Sequence, residues 1–153
     1  MTRIDTLCHI IDGNRILLKR AVRGISKGRW NAPGGKVEMD ETPEESAVRE
    51  TFEETGLGVK VLFYHGLLNF RTFGLDDIFI SCHLFSTREF VGSPHDSEEG
   101  EVRWFNTDNL PWNEMWPDDR YWMQLMLDKK RFDADFWMDE DNRSITRHQI
   151  TIR

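Results

Sequence analysis

The chain has 153 residues, a formal net charge of −7 and 39% hydrophobic residues. That length suits one domain, residues 1–153, with room for a genuine core, while the negative balance argues against a basic groove for long nucleic acid. Two cysteines, Cys8 and Cys82, are too few for a disulfide framework; the start (MTRIDTLCHIIDGN) lacks a signal-peptide apolar stretch, and no run reaches membrane-helix length. A reducing cytoplasm and no membrane partner are therefore expected; oligomeric state is left open.

In chain order, Ile4–Ile11 and Arg15–Lys19 read as strands joined at Asp12-Gly13, a strong hairpin signal. A glycine-bearing polar loop, 23–28, follows, and Trp30-Asn31-Ala32-Pro33 leads to the pair Gly34-Gly35. A helix is predicted next, with Thr42 as N-cap, Pro43 at its first position, Glu45 completing a capping box and Gly56 as a left-handed stop. Strands follow at Lys60–Leu68 and, after a turn at Asp76-Asp77, at Ile78–Phe85, whose apolar run (IFISCHLF) fits burial on both faces. Ser93–Gly100 is an acidic loop and Val102–Phe105 a short strand. A second helix should begin near Pro117, with Tyr121, Trp122, Leu125 and Met126 on its buried side. Arg131–Met138 and Ser144–Ile152 close as a hairpin across 139–142. The fold class is α+β: a mixed sheet sandwiched between helices, α/β/α.

The first helix carries the chemistry. At about 100° per residue, Glu50, Glu53 and Glu54 fall within one narrow arc, with Val48, Thr51, Phe52 and Thr55 expected to pack inward from the other side. In a cleft of effective dielectric ~20, two carboxylates ~6 Å apart repel by ~3 kcal/mol. A cation, protonation or solvation must offset this, and a plain solvated acidic face is the competing reading. Carboxylates with no Cys or His among them suit hard cations, Mg²⁺ or Mn²⁺. Arg49, one turn from Glu45 and Glu53, can hold Glu53 by an ion pair. The five histidines show no ligand spacing and read as structural or surface groups.

The run Gly35, Glu41, Arg49-Glu50, Glu53-Glu54, Gly56-Leu57 resembles the Nudix box, with one departure: Thr51 stands where the family prefers an aliphatic residue. The resemblance implies a hydrolase of nucleoside diphosphate linkages with an α/β/α fold. It also implies metal held by Glu50, Glu53, Glu54 and the Gly34 carbonyl. Nearly the whole chain resembles the MutT-type branch, in which an acid from the later loop completes the metal site; Glu99 occupies that position, and Asp96-Ser97-Glu98-Glu99 otherwise reads as a solvated loop. The general base stays open among Glu50, Glu53, Glu54 and Glu99. Arg49 takes the orienting role.

The stretch from Met115 to Trp122 (MWPDDRYW) is similar to the family's mammalian-type branch that acts on oxidised purine nucleotides. There Trp116 would stack on the base, Asp118 and Asp119 would read its edge, and Asn31 would join them. Adjacent carboxylates in an apolar pocket can share a proton, so that one donates and the other accepts. Without the resemblance, the same residues make a favourable helix start and core tryptophan. Lys36 is a candidate phosphate contact or a solvated turn lysine. Pro33 and Ile25 stand where that branch carries phenylalanines, and Ala21 where it carries a lysine, so one wall should be less aromatic. The implied function is Mg²⁺-dependent hydrolysis of an oxidised purine (deoxy)nucleoside triphosphate to monophosphate and pyrophosphate. The alternatives are hydrolysis of ADP-ribose or another linked diphosphate, and a nucleotide-binding module without catalysis.

Overall fold

The computed structural model describes all 153 residues. Nine strands form one mixed sheet: β1 (Arg3–Asp12), β2 (Arg15–Ala21), β3 (Trp30–Asn31), β4 (Gly34–Lys36), β5 (Gly58–Thr72), β6 (Ile78–Val91), β7 (Gly100–Asn106), β8 (Phe132–Met138) and β9 (Ile145–Ile152). The order is β3-β2-β1-β6-β5-β8-β9, with β4 on β1 and β7 on β2. The pairs β1–β6 and β5–β8 are parallel and the others antiparallel. Helices α1 (Pro43–Thr55) and α2 (Asp119–Leu127) cover the two faces. Alternation along the strands sorts the core accordingly. Cys8 and Phe85 point to Ala47 of α1, whereas Ile11 and Leu84 join Trp122, Met123 and Met126 of α2 in the main core. The α+β sandwich read from the sequence is the architecture observed. Neither helix is long and apolar enough to cross a membrane.

The first hairpin departs from expectation in a way that creates the site. β1 and β2 pair only from Ile10–Asp12 to Arg15–Leu17 and then splay apart. Into the gap come β3, which continues along Lys19 and Arg20, and β4, which continues along Asp5 to Leu7. The Pro33 carbonyl accepts from the Cys8 N–H at 2.9 Å, sealing the junction. The approach is close enough that a Cβ on Gly34 would lie 2.0 Å from the Thr6 carbonyl oxygen, so glycine is required there. A gap therefore opens between β1 and β2 in an otherwise continuous sheet.

Helix α1 has the caps its sequence foretells. Thr42 and Glu45 make the reciprocal capping box, and Gly56 closes the helix at φ 83°. Its orientation corrects one expectation. The buried residues are Ser46, Ala47, Thr51, Glu54 and Thr55, while Val48 and Phe52 are exposed. Small residues, Ser46 and Ala47, permit close approach to β1, so they and not the bulkier apolar pair set the inward face. Glu54 consequently lies on the packed face, Glu50 at its edge and Glu53 beyond it.

Other differences are smaller. β5 and β6 run several residues beyond the predicted spans. The second half of IFISCHLF (Ser81, Cys82, Leu84 and Phe85) is buried as expected, but Ile78 to Ile80 and His83 are only partly so. Helix α2 starts at Asp119, two residues past Pro117, and Tyr121 is exposed, leaning on His148 with ring centroids 4.4 Å apart. A 3-10 turn at Trp112–Glu114 was not signalled in the sequence. Of the histidines, His9 packs edge-on against Trp122 in the interior, and His65 is fixed between the Lys130 carbonyl and Ser86.

Candidate active site

The splayed strands, α1, the acidic loop and the start of α2 enclose a cavity of about 480 Å³. Each candidate from the sequence lines it: Asn31, Gly34, Lys36, Arg49, Glu50, Glu53, Glu54, Glu99, Trp116, Asp118 and Asp119. Residues 31 to 119 thus meet around one space, which is large enough for a nucleotide-sized ligand.

One end is acidic. Glu54 is 4% exposed, accepts from the Gly34 N–H at 3.0 Å and pairs with Lys19 Nζ at 3.1 Å. Burial pushes its carboxyl up to about 7; Lys19 and the Gly34 N–H pull against that, and Glu50 adds to it. Arg49 gathers the other acids. It grips Glu41 with two parallel bonds of 2.6 and 3.0 Å and donates to Glu50 at 2.9 Å and Glu53 at 3.1 Å. The paired bonds hold the Glu41 carboxyl down at about 2 and raise Arg49. The expected contact to Glu53 is present, whereas Glu45 is committed to the capping box and Glu41 takes its place. Glu99 lies exposed on the acidic loop at the cavity wall, and Lys36 is exposed at the end of β4.

The donor chemistry here, all oxygen, fits a hard dication. Gly35 leaves the room: a Cβ there would stand 3.1 Å from the Glu50 carboxyl. The acids are not converged into a ready ligand set, however, since no three of them stand together in ligating positions. Lys19 and Arg49 occupy their oxygens instead.

The other end is apolar with buried acids. Asp118 and Asp119 are each 2% exposed. Asp118 accepts from Trp122 Nε1 at 2.8 Å, while its Oδ1 and the Oδ2 of Asp119 have no partner. Burial pushes Asp118 up to about 6 and Asp119 well above the usual carboxylate range, the latter also through repulsion by Asp118. Protonation of one acid turns it into a donor beside an acceptor, ready for a ligand edge. Trp116 donates through Nε1 to Ser26 at 2.8 Å. Asn31 Oδ1 is engaged by the Ala32 N–H at 2.9 Å, leaving its amide NH₂ available. Ile25 and Ala21 line one wall, as foreseen, and Pro33 does not reach the cavity.

Sequence reasoning missed Lys19, and it missed Phe70 and Phe79, which add aromatic surface to the cavity. Lys19 follows an unbroken apolar run (Ile16-Leu17-Leu18), so strand alternation carried no signal of its facing. The two phenylalanines sit at the ends of β5 and β6, where apolar residues look like ordinary core.

Comparison with known proteins identifies the family. The NUDIX domain family model matches residues 1–126. The chain is 40% identical over 141 residues to the oxidized purine nucleoside triphosphate hydrolase of Mus musculus, covering 92% of this chain and 90% of that protein. It is 39% identical over 131 residues to the protein of the same name from Danio rerio, covering 86% and 83%. Among solved structures, the mutator MutT protein of Bacillus halodurans superposes with a TM-score of 0.84 at 26% identity, covering 97% of each chain.

Proposed function

The chain belongs to the Nudix family of hydrolases, and on that premise we propose that it hydrolyses oxidised purine (deoxy)nucleoside triphosphates, of the 8-oxo-dGTP kind, to the monophosphate and pyrophosphate. The observation that carries the reading is the cavity itself, where the acids of α1 share one space with Trp116 and two buried aspartates. Long nucleic acid has no place in this scheme; the substrate is a small nucleotide.

Nudix hydrolases generally use a divalent metal, typically Mg²⁺. We assign its binding here to Glu50, Glu53, Glu54, Glu99 and the Gly34 carbonyl, with Mn²⁺ as an acceptable substitute. When bound, the dication supplies charge withdrawal from phosphorus and neutralises the leaving phosphate. The protein supplies the rest. Arg49 bonds Glu50 and Glu53 directly and limits the orientations open to them, while Glu53, with one bond and an exposed side chain, keeps the most freedom to turn. Among Glu50, Glu53, Glu54 and Glu99, whichever stays free of metal accepts the proton of the attacking water. Lys36, exposed at the cavity wall, contacts the phosphate chain.

At the far end Trp116 offers a stacking surface. The protonated and ionised members of the Asp118/Asp119 pair donate to and accept from the base edge, and the Asn31 amide NH₂ donates beside them. A pair that can exchange its proton meets either tautomer of an oxidised purine, which favours such bases over undamaged guanine. Phe70 and Phe79 add aromatic surface to a cavity in which Ile25 is aliphatic.

A panel of 8-oxo-dGTP, 2-oxo-dATP, dGTP and ADP-ribose with Mg²⁺ tests the reading. The expected order places the two oxidised triphosphates first in kcat/KM, with monophosphate and pyrophosphate as products. A large preference for ADP-ribose, or tight binding with no turnover, would overturn it.

A further inference from the structure

Arg29 stands outside the cavity yet touches the residue that forms its wall. Its guanidinium carbon lies 4.1 Å from the centroid of the Trp116 ring. Arg29 lines a separate hollow of about 300 Å³ with Trp112, Asn113, Arg120 and Arg143, and not the nucleotide cavity. The indole ring therefore separates the guanidinium from the cavity. The guanidinium is itself anchored: Nη2 donates to the Asn142 carbonyl, in the β8–β9 turn, at 3.0 Å. Its Nη1 is buried without a hydrogen-bond partner, as are Asp118 Oδ1 and Asp119 Oδ2. Leaving a guanidinium nitrogen dry and unpaired is costly, and stacking on an indole face is one of the few interactions that offsets it. The ring edge is held as well, through Trp116 Nε1 and Ser26.

We infer that Arg29 is a positioning residue for base recognition, its planar guanidinium clamping Trp116 from behind so that the face toward the cavity keeps one orientation. The inference rests on Trp116 being the stacking platform of the proposed activity. Planarity is what the clamp demands, because an ammonium of the same charge neither covers an indole face nor spans to the Asn142 carbonyl in the same plane.

The test is a double-mutant cycle of R29Q and W116L, with R29K alongside, read by KM, kcat and metal-free binding of 8-oxo-dGMP. R29Q is expected to raise KM for 8-oxo-dGTP and weaken 8-oxo-dGMP binding by about tenfold, with kcat within about twofold of wild type. R29K should resemble R29Q, and R29Q should add nothing in the W116L background. Thermal unfolding of each variant confirms that the compared proteins are folded. Wild-type KM in R29Q, full rescue by R29K, or additive effects in the double variant would each overturn the inference. If W116L alone leaves KM and 8-oxo-dGMP binding unchanged, Trp116 is no platform; the base-stacking reading then fails, and the Arg29 inference with it. A loss in W116L with none in R29Q sinks the Arg29 inference alone.

Discussion

Replacing Asp118 by asparagine should stabilise the protein at neutral pH and leave it unimproved in acid. Burial is the main reason that the Asp118 carboxyl moves from an ordinary 3.8 to about 6 in the folded chain, against the partial help of the Trp122 N–H. An acid raised on folding binds more protons in the native than in the unfolded state, so its contribution to stability falls as pH rises. Below the unfolded value both states are protonated and there is no penalty. Between about 4 and 6 the penalty grows, and above 6 it levels off near 3 kcal/mol, taking 1.36 kcal/mol for each step of one in pKa. The asparagine keeps an oxygen for Trp122, and its NH₂ replaces an Oδ1 that has no partner now. Any fixed cost of that amide, about 1–3 kcal/mol, is the same at every pH. The informative quantity is therefore the change in ΔΔG between pH 4 and pH 7.5, measured by urea unfolding with linear extrapolation. It should favour D118N by about 2 kcal/mol more at pH 7.5 than at pH 4, where the unfolded carboxyl is already partly ionised. Relief of the repulsion on Asp119 acts in the same direction. A ΔΔG flat with pH, or one that moves against the variant as pH rises, would refute the burial argument.

The acids of α1 should separate by burial. Glu53 is 55% exposed in its side chain, so E53Q should cut Mg²⁺-dependent hydrolysis by about 10²–10⁴-fold with little change in Tm. E54Q should lose activity similarly, and its stability should gain on wild type as pH rises between about 4.5 and 7, because burial raises the Glu54 carboxyl; a stability difference flat with pH would contradict this. R49K keeps the charge and loses the paired grip on Glu41 and the reach to Glu50 and Glu53, so kcat should fall about 10–100-fold, and wild-type kcat would remove Arg49 from the machinery. G34A must displace the Thr6 backbone and should cost about 1–3 kcal/mol in thermal or urea unfolding, while a neutral result would mean that β4 is free to shift.

What could be read in advance was what is local or what the family resemblance carries. The capping box, the glycine stop and the acids on α1 lie within one helix, and their spacing determines their mutual placement. The face that α1 buries was misread because Val48 and Phe52 are the larger apolar residues, yet the helix approaches β1 through Ser46 and Ala47. A helix needs smallness where it packs closest, and hydrophobicity counts do not express that. The splay of β1 from β2 was equally hidden: Asp12-Gly13 specifies a turn but not how far the ladder continues. Its depth is limited by β3 and β4, which claim the same strand edges. Contacts such as Lys19 with Glu54 or Arg29 with Trp116 join residues far apart in the chain, and neither leaves a periodic trace.

The cost of crowding carboxylates on one helix is met here by division. Arg49 takes Glu41, Glu50 and Glu53, Lys19 takes Glu54, and solvent keeps Glu99 and part of Glu53. Two resident cations thus hold four acids of the cluster without neutralising them outright, and this explains how the cluster persists in a chain that is already negative. The division also ranks the acids. Glu54, dry and paired, is the one whose charge the fold itself has to stabilise; Glu53, wet and held by a single bond, is the one freest to turn toward an incoming cation. A site built only for stability would bury no acid at all, since a well-packed apolar residue costs less than a dry ion pair. Glu54 is kept on the packed face with a lysine and a backbone N–H set against it, and under the proposed activity the demand for its carboxylate lies in the chemistry of the cavity.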